Sequence, residues 1–129
     1  MIQNKIYLPD TNYILRYLLA DDKKVFEEVS EFFEKIKDGS QKADILEGVL
    51  VECVYILLKY YEVPKKKIEQ VLSGLLVYKG IVSEKRETFQ EALKIFAEKN
   101  LDIVDCILIA SATKTQKVKT FDKKLQKQL

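Results

Sequence analysis

Apolar side chains recur along this chain in two rhythms. Short β-prone runs alternate with longer segments whose apolar residues return every three or four positions. Ile6, Tyr7 and Leu8 form the first run, and Pro9 ends it. Asp10-Thr11-Asn12 follows, and all three residue types cap helices. The chain is therefore predicted to pass from a buried strand into a helix, carried on by Ile14, Leu15, Tyr17, Leu18 and Leu19. Asp21-Asp22 break it. From Lys23 to Lys37, Val25, Phe26, Val29, Phe32, Phe33 and Ile36 mark one face of an amphipathic helix, which Asp38-Gly39-Ser40 stops. Residues 43–49 contain a second short strand, and Leu50 to Tyr61 is a long apolar helix. Pro64 suits the first turn of a helix running to about Leu76. Val77 to Val82 includes a third strand. A helix beginning at Ser83-Glu84 turns Phe89, Ala92, Leu93, Ile95 and Phe96 inward and closes at Lys99-Asn100. Asp102 opens an apolar helix from Ile103 to about Thr115. Val118 to Phe121 is a last strand, and Lys123 to Leu129 a short tail helix.

This alternation of strands and helices predicts an α/β fold with a mostly parallel sheet covered on both faces. Residues 1–129 show no linker and no internal repeat, so they are expected to form one domain, and the length suits one. Ligands in such folds bind beyond the carboxyl ends of the strands. No apolar run is long enough to span a bilayer, and Met1 to Leu8 is too short for a signal peptide. Cys53 and Cys106 lie in apolar runs and read as buried free thiols, not as a disulfide framework. The expectation is a soluble, cytoplasmic protein with no membrane partner.

Charge changes the picture only locally. The net charge is +2, from 22 basic and 20 acidic residues. Lys65-Lys66-Lys67 form one basic run, and Lys114, Lys117, Lys119, Lys123, Lys124 and Lys127 load the C-terminal end. On charge alone solvated surface is the favoured reading of both; the sharper alternative is a rim that steers phosphates. One absence excludes more. There is no histidine. Ser-His-Asp and Cys-His catalysis, histidine acid–base chemistry and histidine-ligated zinc are all removed. Hydrolytic chemistry in this chain must use carboxylates, lysines, hydroxyls or an oxygen-bound metal. The four glycines are isolated and form no phosphate-binding loop.

Glu52 is the only charge in Val49–Leu58, and Asp105 the only one in Ile103–Ala110. A helix apolar on nearly every side is expected to be buried on nearly every side. An unpaired buried carboxylate costs several kcal/mol, so it must be paired, protonated or metal-bound. Each acid also has a plainer explanation. Glu52 can belong to an ion pair or reach solvent from the helix end. Asp105 can be a first-turn acid favoured by the helix dipole, with Asp102 as the cap. Asp10 can be a cap, and Asp122 a turn or cap residue after a strand. Together, though, these acids gather near helix starts without matching lysine or arginine; Arg16 is the nearest base among those runs. Hard oxygen donors without histidine suit Mg²⁺ or Mn²⁺, and magnesium takes only one or two carboxylates directly.

Four segments carry a resemblance. They are Leu8–Leu19 around Asp10, Val51–Leu57 around Glu52, Leu101–Ala110 around Asp105, and Thr120-Phe121-Asp122. In this order and at these separations the chain resembles the PIN domain nucleases and, within them, the VapC toxins of prokaryotic toxin–antitoxin pairs. The resemblance implies a three-layer α/β/α sandwich with a short, mostly parallel central sheet. It implies that Asp10, Glu52, Asp105 and Asp122 are the catalytic acids, with Asp10, Glu52 and Asp105 on the metal. Thr11, Asn12 and Thr120 match supporting polar positions, and Asp102 is a secondary or capping acid. It further implies an Mg²⁺- or Mn²⁺-dependent hydrolase that cleaves RNA phosphodiesters, a homodimer, and an antitoxin protein that blocks the site.

Other readings differ in what they require. A haloacid-dehalogenase phosphatase needs a second Asp two residues after the first, where this chain has Asn12. A receiver domain needs paired acids after the first strand. Inside the family, an RNA-processing nuclease that is not a toxin would lack an antitoxin reading frame beside its gene. A non-catalytic module would hold RNA or protein without metal-dependent turnover.

Overall fold

Each long periodic segment is a helix in the computed structural model, which describes residues 5–129. Strand β1 (Ile6–Tyr7) leads into α1 (Thr11–Leu19) and α2 (Lys23–Asp38). Strand β2 (Lys42–Ala43) leads into α3 (Glu47–Tyr55), which runs on as a π-helical turn over Ile56–Tyr60. Then come α4 (Lys65–Leu76), α5 (Arg86–Glu98), α6 (Ile103–Ser111) and the single turn α7 (Lys123–Gln126). The π turn closes through the Tyr61 N–H to the Ile56 carbonyl at 3.1 Å. The termini follow local chemistry. Asp10, Asp22, Asp102 and Asp122 cap α1, α2, α6 and α7 with their side chains. Gly39, at φ +86°, ends α2 in the left-handed region.

The sheet is shorter than the sequence predicts. β1 and β2 pair in parallel, with Ile6 opposite Lys42 and Tyr7 opposite Ala43. The third strand is a single parallel bridge between Ala43 and Ile81. Turns consume the rest of it: the Tyr78 N–H bonds to Leu75 O and the Ile81 N–H to Tyr78 O. Gly80 makes that bridge possible. A Cβ there would lie 2.0 Å from the Gln41 carbonyl oxygen and 2.8 Å from that of Ile36.

Val118 to Phe121 is not a strand. Its two apolar residues stand three apart, so they cannot share one face of a period-two strand. Its backbone is committed elsewhere, with the Thr120 carbonyl accepting from Gln126 Nε2 at 2.7 Å. The helix predicted to reach Thr115 ends at Ser111, and the tail helix is one turn.

The core is one continuous cluster. Phe33, Phe89 and Phe96 are its largest fully buried side chains. Tyr17 stacks on Phe33 with ring centroids 4.4 Å apart, and its hydroxyl meets that of Tyr78 at 2.7 Å. Helix α1 packs on α2 and α3, α3 packs on α6, and α6 packs on α5. Helix α3 thus packs on both α1, which Asp10 caps, and α6, whose first turn holds Asp105. Among the described residues, no helix is long and apolar enough to cross a membrane.

Candidate active site

The two acids that looked buried from the sequence are not. Glu52 is exposed and Asp105 is half-buried. Helical phase explains both. The core side of α3 is Leu50, Cys53 and Val54, and that of α6 is Ile103, Cys106 and Ile107. Each acid follows a core residue by two positions, about 200° around the helix. Helix α6 is apolar on its open side as well; Val104 and Leu108 are exposed. An apolar sequence therefore did not mean burial all round.

Three acids do the capping work that their positions allow. Asp10 Oδ1 accepts from the Tyr13 N–H at 2.9 Å. Asp102 Oδ1 accepts from the Val104 N–H at 3.0 Å and from the Tyr55 hydroxyl at 2.7 Å. Asp122 Oδ1 accepts from the Lys124 and Leu125 N–H groups at 2.9 and 3.2 Å. Every one of these bonds uses Oδ1. Oδ2 of each carboxylate carries none of them, so each group is oriented through one oxygen and presents the other.

The electrostatics show which acids are neighbours. Burial pushes the Asp105 carboxyl above the usual range, and the charges of Asp102 and Asp122 push it the same way. Tyr55 is pushed up to about 12, first by its bond to Asp102, then by burial and by the charges of Asp102 and Asp105. The buried Cys53 thiol is raised to about 12 by burial and then by Glu52 and Asp10. The Asp105 carboxyl thus feels the charges of Asp102 and Asp122, and the Cys53 thiol those of Glu52 and Asp10. Glu52 and Tyr55 stand three residues apart on α3. Among the described residues, no base pairs with any of these acids. Arg16 binds Asp21 at 2.7 Å and the Tyr61 hydroxyl at 3.1 Å. Lys65 is also engaged, donating to the Lys99 and Leu101 carbonyls at 3.4 and 3.5 Å and lying 4.4 Å from the Phe96 ring centroid.

The supporting positions divide. Thr11 is buried and Asn12 exposed. Thr120 Oγ1 accepts from the Asp122 N–H at 3.0 Å and so sets that acid's backbone. Tyr55 is the residue that sequence reasoning missed. Its spacing of three from Glu52 was the available signal, because such residues share a helix face.

Among the described residues, no group of three or more acids or cysteines is arranged to hold a metal ion. Carboxylates alone are nonetheless a hard donor set, and magnesium asks for only one or two directly, with water in its other positions. The unneutralised acids fit a hydrated divalent cation in charge and chemistry. Asp10 also lines a shallow cleft of about 410 Å³ with Tyr7, Leu8, Pro9, Tyr13 and Phe32, which Glu52, Asp105 and Asp122 do not line.

The profile of the PIN domain family matches residues 7–128. The chain belongs to the PIN domain family. The match includes all of the acids described above. A VapC ribonuclease of Aquifex aeolicus (strain VF5) is 27% identical over 122 residues, covering 93% of this chain and 90% of the relative. No solved structure gives a significant match.

Proposed function

We propose that this PIN domain is a metal-dependent endoribonuclease and the toxin of a toxin–antitoxin pair. The observation that carries the proposal is the set of carboxylates at the starts of α1, α6 and α7 and on α3, of which Asp10 and Asp122 are oriented by capping and none pairs with a base among the described residues. The VapC relative supports RNA as the substrate. Asp10, Glu52 and Asp105 would hold Mg²⁺ or Mn²⁺, directly or through its waters, and Asp122 would complete the site. A bound cation would supply a water of lowered pKa and offset charge developing on the phosphate. Thr120 keeps Asp122 in place, and Asp102, tied to Tyr55, fixes the first turn of α6. Thr11 and Asn12 support the start of α1. No protein nucleophile is needed, in keeping with a chain without histidine.

The same reading gives the protein a cytoplasmic setting, an antitoxin that covers the acids, and a homodimer. Val104 and Leu108, one turn apart and exposed on α6, offer an apolar face for a second copy. The test is cleavage of a defined RNA pool by the purified protein. Cleavage should require Mg²⁺ or Mn²⁺, stop in chelator, and disappear in Asp10→Asn and Glu52→Gln. Cleavage that persists in chelator and in both variants refutes the assignment.

A further inference from the structure

Two features of the C-terminal segment are not used by the acid cluster. The first is charge. Lys114, Lys117, Lys119, Lys123, Lys124 and Lys127 are all exposed, and none pairs with an acid among the described residues. Residues 112–129 hold these six lysines against a single acid, Asp122, and so carry +5. The whole chain carries +2, so the other residues together carry −3. Positive charge is concentrated on the segment that contributes Asp122.

The second feature is Phe121, whose side chain is 101% exposed and meets no other aromatic ring among the described residues. The ring projects from a fixed backbone. On one side, Thr120 is held by Gln126 at 2.7 Å and by Asp122 at 3.0 Å. On the other, Asp122 caps α7, which the buried Leu125 anchors. An aromatic ring held out among unpaired lysines suits single-stranded nucleic acid. The ring stacks on a base and the lysines neutralise phosphates. A purely apolar protein interface would not require the six cations.

We propose that Phe121 stacks on a base of single-stranded RNA whose backbone follows the lysines of residues 114–127, which brings an adjoining phosphate to Asp122 and Asp105. The proposal deepens the ribonuclease reading and rests on it for the choice of RNA.

The experiment measures the anisotropy of a fluorescein-labelled single-stranded RNA with the full chain in chelator, where metal-dependent cleavage is silent. Phe121→Ala and Phe121→Leu should weaken binding by about 5-fold or more, while Phe121→Trp retains it, since stacking needs a π face. Lys119→Gln with Lys123→Gln should flatten the plot of log affinity against log salt by about 1.4, near 0.7 for each phosphate left without its lysine. Leucine serving as well as tryptophan overturns the proposal. So does a Phe121→Ala protein with wild-type RNA affinity, including one whose oligomeric state by light scattering has changed; the ring would then belong to a protein interface. The two readings fail separately. Phe121-dependent binding without metal-dependent cleavage supports the stacking site and defeats the enzyme assignment. Metal-dependent cleavage with Phe121-independent binding does the reverse.

Discussion

Replacing Tyr55 by Phe removes one hydroxyl and one 2.7 Å hydrogen bond to Asp102. That bond spans 47 residues and ties the helix of Glu52 to the helix of Asp105. A hydrogen bond to a charged group contributes about 1.5–3 kcal/mol net. Asp102 is exposed, so water replaces part of this contribution, and the expected cost is about 1 kcal/mol. Unfolding entropy is about 2.1 cal/mol/K per residue near the transition, which for 129 residues converts that cost to a fall in Tm of about 4 °C. Thermal melts by far-UV circular dichroism measure it. A double-mutant cycle isolates the bond. Asp102→Ser keeps the cap of α6 but is too short to keep the phenol. The two substitutions should couple by about 1 kcal/mol. Coupling below about 0.5 kcal/mol, the scatter of ordinary additivity, refutes the reasoning. The pH dependence has a fixed sign. Tyr55 is raised from 10.0 to about 12, so its stabilisation is complete below its unfolded value and is lost as pH rises through about 12. The cost of Tyr55→Phe should therefore stay constant across the neutral range.

Two further predictions concern charge and packing. Asp105 is raised by burial and then by Asp102 and Asp122, so its stabilising contribution is present below its unfolded pKa and lost as pH rises through the folded one. Asp105→Asn should raise Tm at neutral pH, with the gain shrinking on acidification. A gain that does not change with pH refutes the assignment. Gly80→Ala would place a Cβ 2.0 Å from the Gln41 carbonyl oxygen, so the bridge between Ala43 and Ile81 must shift. A loss of about 1–3 kcal/mol in urea unfolding is expected, and a loss under about 0.5 kcal/mol contradicts the close approach.

The helices were legible because each segment repeats its apolar residues over several turns, and their capping residues lie beside them in sequence. Asp102 and Asp122 stand where the periodicity begins, and both cap there. The strands were less legible. Two-residue strands carry no period, and the one bridge at Ile81 depends on a clearance that only Gly80 provides. Glu52 was misjudged in burial because hydropathy records what a helix can pack against, not what the fold supplies. Among the described residues, nothing covers its open side, and Glu52 is exposed. The Tyr55–Asp102 bond was out of reach because its partners meet only after α3 and α6 pack.

Capping and metal binding looked like competing explanations of the same acids. The geometry makes them compatible. A capping aspartate spends one oxygen on backbone N–H groups, which fixes the plane of its carboxylate, and Asp10, Asp102 and Asp122 all spend Oδ1 in this way. An acid held so gives up less conformational freedom on meeting a cation than one on a mobile side chain. Glu52 and Asp105 have neither a hydrogen bond nor an ion pair among the described residues, and Asp105 stands against two like charges. On the proposed reading, the caps set the frame and these two acids carry the charge that favours a cation. Such a site would be ordered before a metal arrives and would gain electrostatic relief when it does. Added Mg²⁺ or Mn²⁺ should therefore raise the Tm of the native chain at neutral pH more than that of Asp105→Asn.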